Sequence, residues 1–163
     1  RVYFSTEDDP KETIKFFLED VLSQMNLAPD VFVSEEDGFY KAEISCSDSG
    51  LIIGRKGEVL QALQFITSQV VSRAYDTYIR VIIDTENYRE RHKAYLEELA
   101  RKTADKVIKA KRDFMLDPMS SYDRRIIHTC LQNRENISTY SIGDEPYRKI
   151  VISFERDGRR NNY

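Results

Sequence analysis

The four residues Gly54-Arg-Lys-Gly57 combine two permissive backbone positions with two adjacent cations. Glycine tolerates positive φ and lets one chain approach another closely. The next segment, from Glu58 to about Ala74, has the apolar spacing of an amphipathic helix. The first turn of such a helix carries unpaired N–H groups and a partial positive charge. With Arg55 and Lys56 pointing outward, this turn is suited to hold the phosphodiester groups of a single strand.

The apolar residues that precede this turn, Leu51, Ile52 and Ile53, offer a wall for unstacked bases. A bare G-x-x-G is short, and the alternative is a sharp turn with two solvated charges. A phosphate-binding P-loop is excluded, because that motif needs four residues between its glycines and Ser or Thr after the lysine. Here three residues follow Gly50 before the next glycine, and Gly57 follows the lysine.

A second candidate anion site is formed by Arg124 and His128, which lie one helical turn apart. Arginine offers a planar fork for phosphate and histidine adds a donor. The spacing predicts a buried face that includes Ile126 and Ile127. Arg124 and His128 then flank this face with free heads, and Arg125 points further into solvent. The alternative is an ordinary pair of residues on a helix surface.

The elements that must position these residues form two small modules, which predicts an α+β fold. The first module has the order α-β-β-α-α-β, and the second has a long helix, a short helix and a small three-stranded sheet. We place the first module at residues 1–85, the second at residues 86–157, and a disordered tail at residues 158–163.

The composition of the 163 residues, 40% hydrophobic and 33% charged, predicts a globular protein with a core. No apolar run reaches the roughly 20 residues of a membrane span. The two cysteines, Cys46 and Cys130, form no metal-ligand cluster, which favours a reducing compartment and a cytoplasmic protein. The chain does not begin with Met, from which we expect a longer natural protein.

The charge is uneven along the chain. Residues 1–50 hold 4 Lys/Arg and 12 Asp/Glu, whereas residues 51–163 hold 21 Lys/Arg and 16 Asp/Glu. Because electrostatic fields are local, the net charge of −3 permits an anionic partner but argues against a general polycation.

No sequence pattern indicates catalysis. Neither H-E-x-x-H nor G-x-S-x-G occurs, and no nucleophile lies beside a candidate base. We therefore expect no enzyme, no metal, no cofactor and no small-molecule substrate. His92 is expected to pack or to form a hydrogen bond, and the cations from Arg101 to Arg112 are either a solvated face or additional phosphate contacts.

The motif Ile52-Ile-Gly-Arg-Lys-Gly57 in its α and β context resembles that of a KH domain, and the resemblance covers residues 31–84. The G-x-x-G loop of KH domains clamps about four nucleotides by their backbone. The element order is similar to the type II arrangement. The resemblance implies that Ile52, Ile53 and the residues from Gly54 to Gly57 contact RNA.

The segments Ser120–His128 and Ser138–Arg148 resemble the R-three-H domain, which is named for its Arg-x-x-x-His signature. The resemblance covers about residues 88–156. That family is associated with single-stranded nucleic acid. The resemblance implies that Arg124 and His128 face the ligand, with Ser141 and Arg148 nearby. We include the adjacent Arg125 among the candidate RNA-binding residues.

A KH module followed by an R-three-H module resembles the bacterial Jag/KhpB (SpoIIIJ-associated) family over about residues 10–157. The resemblance implies a cytosolic RNA-binding protein that acts as an RNA chaperone or post-transcriptional regulator. It also implies a partner, either a small KH-only protein or a second copy, and a link to cell-envelope growth and cell shape. We therefore expect a non-catalytic protein that binds single-stranded RNA, with single-stranded DNA as a further candidate ligand. The alternative is an adaptor that dimerises through its KH-like domain.

Overall fold

The computed structural model describes residues 9–155, and the tail expected at 158–163 lies outside them. The chain divides into two compact units, the first ending at Tyr88 and the second beginning at Arg89. The elements of the first unit are α1 (Pro10–Gln24), β1 (Asp30–Glu36), β2 (Phe39–Ser45), α2 (Ser49–Ile53), a 3₁₀ turn (Arg55–Gly57), α3 (Glu58–Ala74) and β3 (Val81–Asp84). Those of the second are α4 (Tyr88–Ala110), β4 (Phe114–Met115), α5 (Ser121–Leu131), β5 (Ile137–Ile142) and β6 (Lys149–Phe154).

The first unit is a three-stranded sheet in the order β1-β2-β3 with α1 and α3 packed against it. Strands β1 and β2 are antiparallel, and β2 and β3 are parallel. Helix α1 begins at Asp9, whose side chain accepts a hydrogen bond from the Lys11 N–H at 3.0 Å. The core is apolar and includes Ile14, Leu18, Leu22, Ala42, Ile44, Ile52, Leu60, Val71 and Ile83.

Two side-chain hydrogen bonds of the first unit join β3 to helix α3, and the residue after β3 to strand β2. The Ile83 N–H donates to Gln64 Oε1 at 3.1 Å, so β3 is held by the helix that follows the glycine turn. The Thr85 hydroxyl is buried and donates to the Ile44 carbonyl at 2.7 Å. These bonds satisfy polar groups that would otherwise be costly to bury. The first of them also holds α3 against β3.

The second unit places α4 and α5 against an antiparallel sheet in the order β4-β6-β5. Ala100 and Ala104 are fully buried on α4, where small side chains permit close packing. Helix α5 begins at Ser120, whose Oγ accepts a hydrogen bond from the Asp123 N–H at 3.2 Å. The buried carboxylate of Asp123 in turn pairs with His92 at 3.2 Å, so the expectation of a hydrogen-bonded His92 is confirmed.

The predicted α+β class and element order are confirmed, and the differences are local. The spacing of apolar and neutral residues in α4 predicts a buried stripe of Tyr88, Tyr95, Leu96, Leu99, Thr103 and Val107. Leu96, Thr103 and Val107 are buried, whereas Tyr95 is 59% exposed and two alanines, Ala100 and Ala104, are buried beside them. The sequence also predicts a helix from Lys11 to Leu27, but α1 ends at Gln24, because Asn26 adopts a positive φ of 60°. Within residues 9–155, none of the helices has the length and apolar character needed to cross a membrane.

Candidate nucleic-acid interface

The glycine turn between α2 and α3 is sharply bent. Three of its four residues have positive φ: Gly54 at 68°, Lys56 at 52° and Gly57 at 80°. Such values are rare for residues that carry a Cβ atom. The turn therefore reverses direction within one 3₁₀ turn and presents its two central side chains to solvent.

Close packing beneath the turn also requires its two glycines. A Cβ atom on Gly54 would lie 2.3 Å from Cγ2 of Val59, and one on Gly57 would lie 2.8 Å from Cε1 of Tyr88. Real Cβ atoms essentially never come so close to a neighbour. Contacts inside the first unit therefore require glycine at these two positions, in addition to the backbone angles.

The exposed face of the turn carries positive charge. Arg55 and Lys56 are both exposed, and Gly57 is the N-cap of α3. Glycine has no side chain to accept from the first N–H groups of the helix, and no side-chain cap is seen there in the described residues. These N–H groups and the helix dipole add to the two cations, and the exposed Glu58 in the first turn partly offsets them. The arrangement suits a phosphate group.

The apolar wall beside the turn differs from the prediction. The side chain of Ile52 is fully buried in the core and cannot contact bases, so the direct contact expected for it is corrected. The reason is the short helix α2, which turns Ile52 inward while Leu51 remains 60% exposed and Ile53 partly exposed. The exposed apolar side chains beside the turn are therefore those of Leu51 and Ile53.

The Arg-x-x-x-His residues line a cavity of about 340 Å³ in the second unit. Helix α5 contributes Ser121, Arg124, Arg125 and His128, β5 contributes Thr139, Tyr140 and Ser141, and β6 contributes Ile150. The four α5 residues have the spacing i, i+3, i+4 and i+7, which places them on one helix face. Four sequence-predicted site residues (Arg124, Arg125, His128 and Ser141) therefore share one cavity.

The head of Arg124 is not free, which corrects the expectation. The side chain is only 9% exposed, and its Nη2 atom pairs with Glu145 Oε1. Glu145 lies in the loop between β5 and β6, so the helical periodicity of α5 does not predict this ion pair. The Nε atom of Arg124 is buried and has no hydrogen-bond partner among the described residues. Arg124 is thus a buried cation whose charge a half-exposed carboxylate partly offsets.

His128 is exposed and fixed in orientation. Its Nδ1 shares a hydrogen bond with Thr139 Oγ1 at 2.5 Å. Since Nδ1 is engaged, Nε2 is the ring nitrogen that can meet a ligand. Arg125 is exposed at the same cavity. Arg125 and His128 therefore present donors to the same cavity, whereas the sequence predicted that Arg124 and His128 would do so and that Arg125 would point further into solvent.

Arg148 stands two residues before Ile150, which lines the cavity, but is not itself one of the lining residues. Its Nε is buried and has no hydrogen-bond partner in residues 9–155. Its carbonyl accepts a hydrogen bond from the Met119 N–H at 3.3 Å, which joins the loop before β6 to the segment before α5. The expectation that Arg148 lies near the ligand stays a prediction.

Sequence reasoning missed three lining residues. Ser121 and Thr139 present hydroxyl groups, and Ile150 adds a buried apolar side chain. Tyr140 also lines the cavity and is 48% exposed, and it is the one tyrosine of the ten that sequence reasoning singles out as a candidate for base stacking. A signal was present for Ser121, which stands one turn before Arg124 and two turns before His128. The position of Thr139 at the cavity depends on the pairing of β5 with β6, which the sequence alone does not specify.

No group of three or more His, Cys, Asp or Glu side chains within residues 9–155 is arranged to hold a metal ion. The cavity and the turn instead present guanidinium, ammonium, imidazole and hydroxyl groups. These are donors for anions.

Comparison with known proteins matches each unit to one domain family. The family model described as "KhpA/KhpB, KH domain" matches residues 11–83, and that of the R-three-H domain matches residues 94–154. A protein of Clostridium symbiosum named RNA-binding protein KhpB is 45% identical over 147 residues, which cover 89% of this chain and 66% of that protein.

Other proteins of the same name show how much of the relatives this chain spans. The KhpB protein of Bacillus subtilis is 37% identical over 150 residues, 91% of this chain and 72% of the relative. That of Lactiplantibacillus plantarum is 30% identical over 136 residues, which span only 42% of its length. The chain thus corresponds to between about two fifths and three quarters of these proteins.

These matches confirm the family predicted from the two motifs. The family is non-catalytic, which agrees with the expectation that this protein is not an enzyme. The identity to the Bacillus subtilis protein extends through both units and over most of its length. The chain therefore belongs to the KhpB (Jag) family, in which a KH domain is followed by an R-three-H domain.

Proposed function

We propose that this protein binds single-stranded RNA without altering it chemically, and that it acts as an RNA chaperone or post-transcriptional regulator. One observation carries the proposal: two exposed cations, Arg55 and Lys56, stand in a glycine turn at the N-terminus of α3. The relatives named RNA-binding protein KhpB support RNA as the ligand. We place the RNA-clamping KH domain at residues 1–85 and the R-three-H domain at residues 86–157.

In the KH domain, we assign the phosphate contacts to the residues from Gly54 to Gly57. Backbone N–H groups at the start of α3 and the two cations hold the phosphates. Leu51 and Ile53 lie beside the bases, and Ile52 supports the turn from the core. In this arrangement, the apolar side of the turn contacts the base of a nucleotide and the cationic side contacts its phosphate.

In the R-three-H domain, we assign the phosphate contacts to Arg125, His128 and Ser141, which line the cavity. Arg124 adds a buried positive charge, weakened by Glu145. Arg148 is kept as a neighbour of this site, two residues from Ile150 of the cavity. Because the two domains belong to one chain, a strand that reaches both sites gains affinity from the raised effective concentration.

We place the protein in the cytoplasm. Cys46 and Cys130 are both free thiols, which suits a reducing compartment. We propose single-stranded RNA as the ligand in that compartment. Single-stranded DNA is the second ligand to test in the same binding assays.

The proposal predicts that Arg125→Ala with His128→Ala weakens binding of a labelled single-stranded RNA by about 30-fold. The physical reason is the removal of two donors to phosphate, each worth roughly 1 kcal/mol. The slope of log affinity against log salt also falls, by about 0.7 for each phosphate that the variant no longer neutralises. Fluorescence anisotropy at several salt concentrations measures both quantities.

The matched control is Lys106→Ala with Lys109→Ala, which removes two exposed cations from α4. We expect wild-type affinity from it. An equal loss in both double variants would mean that binding follows overall charge, which contradicts a specific cavity. If the wild-type chain fails to bind single-stranded RNA, or prefers a duplex, the proposed function is wrong.

A second activity is favoured by exposed apolar side chains on the first unit, namely Phe16, Phe32, Phe65, Ile66 and Tyr78. We propose that the KH domain also pairs with a second KH domain, either in another copy of this chain or in a small KH-only protein. The acidic first 50 residues are compatible with such an adaptor.

Light scattering after gel filtration tests the pairing. The expected result is a dimer of the purified chain that persists after ribonuclease treatment, because apolar contacts do not need RNA. A monomer at all concentrations would contradict self-pairing, and titration with the KH-only protein then tests the other partner.

A further inference from the structure

A groove of about 480 Å³ is lined by residues of α4 and α5, of which only Arg125 also lines the Arg-x-x-x-His cavity. Helix α4 lines it with Lys93, Glu97 and Arg101, which are spaced by four residues. Helix α5 lines it with Tyr122, Arg125 and Thr129, which are also about one turn apart. The groove is thus built by two regular helix faces that the same core holds together.

The charged residues of the groove favour an anion. Three cations line it, whereas Glu97 is the one carboxylate among the lining residues. The Oε2 atom of Glu97 pairs with Arg101 at 3.2 Å. The positive charges of Lys93 and Arg125 are therefore not offset by a carboxylate within the groove. Both nitrogen-bearing heads are donors of the kind that bind phosphate.

An aromatic ring stands beside these cations. Tyr122 is 55% exposed, and Arg125 follows it by three residues on the same helix. An exposed ring beside a cationic groove is the arrangement with which proteins bind single strands, because the ring stacks on a base while the cations hold the backbone.

The groove and the cavity meet at Arg125, which lines both. With 100° of rotation per residue, Ser121 and His128 point to one side of α5, and Tyr122 and Thr129 point about 100° away. Arg125 falls between the two directions. A strand that leaves the cavity can therefore enter the groove past a single guanidinium group.

We propose that this groove is a second nucleotide-binding subsite, in which Tyr122 stacks on a base and Lys93 and Arg125 hold the neighbouring phosphate of the strand that occupies the Arg-x-x-x-His cavity. The inference rests on the proposed function and extends it. It assigns a binding role to the first half of α4, beyond the signature helix α5.

The test compares Tyr122→Leu and Lys93→Gln with wild-type protein in binding to a labelled twelve-nucleotide oligoadenylate. Leucine keeps the apolar contact and removes the aromatic face. We expect each variant to bind about tenfold more weakly, and Lys93→Gln also to have a lower salt slope. The control is Tyr95→Leu, a similarly exposed tyrosine of α4 outside the groove lining, which should bind like wild type.

The outcomes separate this subsite from the proposed function. If Tyr122→Leu and Lys93→Gln bind like wild type while Arg125→Ala with His128→Ala is weakened, the groove proposal is wrong and the RNA-binding function stands. If the wild-type chain does not bind the oligonucleotide, both fail. RNA that contains 4-thiouridine should in addition crosslink to a peptide with Tyr122, and crosslinks confined to other peptides would contradict the subsite.

Discussion

Gly54→Ala is expected to lower the free energy of unfolding of the first unit by about 2–5 kcal/mol, the largest stability effect that we expect of a single methyl group in this chain. Gly54 has φ 68° and ψ −169°, a region that glycine alone occupies without strain. The added Cβ would also lie 2.3 Å from Cγ2 of Val59, so the start of α3 must shift. Urea denaturation followed by circular dichroism measures the change.

Gly50→Ala is the matched control for this loss of stability. Gly50 lies inside α2 and no atom stands within 4 Å of an added Cβ. Alanine should leave stability unchanged or raise it by about 0.4–1 kcal/mol. The double variant Gly54→Ala with Val59→Ala removes the closest contact, that with Cγ2, but leaves the Cβ atom of residue 59 at 2.9 Å and the backbone strain, so it should recover only part of the stability. Wild-type stability of Gly54→Ala would show that the turn can relax and that the glycine is not required.

The glycine turn shows what local sequence can predict. The need for two glycines, the outward cations and the following helix are all encoded within a few residues. The contacts of Val59 with one glycine and Tyr88 with the other are not, because the second joins residues 31 positions apart. Ile52 was misplaced for a related reason, since its direction depends on the short helix α2.

The second unit shows the same division. The helix face that carries Arg124 and His128 follows from periodicity, and it was predicted. The carboxylate of Glu145 reaches Arg124 from the loop between β5 and β6, and hydrogen bonding between Thr139 and His128 depends on strand β5. No periodic pattern relates such residues, so the sequence could place the cations but not the groups that hold them.

Side-chain size explains one difference in α4. The predicted stripe favours large residues and so includes Tyr95, which is 59% exposed, and omits Ala100 and Ala104, which are fully buried. The remaining buried residues of the helix, Leu96, Thr103 and Val107, agree with the prediction. The predicted face is therefore correct, and the difference lies at its margin.

Arg55→Asp with Lys56→Asp is expected to weaken binding of single-stranded RNA by at least roughly 100-fold, the largest binding effect that we expect. The variant removes two charge-assisted hydrogen bonds of about 1.5–3 kcal/mol each, and its two carboxylates then repel the phosphates. Aspartate suits position 56, where φ is 52°, because it tolerates this left-handed region better than most residues. Both side chains are exposed, so the fold should be retained.

A second double variant tests whether the change in net charge alone causes this loss of RNA affinity. Arg73→Glu with Lys106→Glu reverses two exposed helix cations, one in each unit, and changes the net charge by the same amount. Because glutamate is a good helix former, this variant should fold and should lose only the small affinity due to long-range repulsion. Anisotropy titrations at the same salt concentration compare the two double variants. Equal losses in the two, or wild-type affinity in the Arg55 and Lys56 variant, would show that the glycine turn does not hold the RNA backbone.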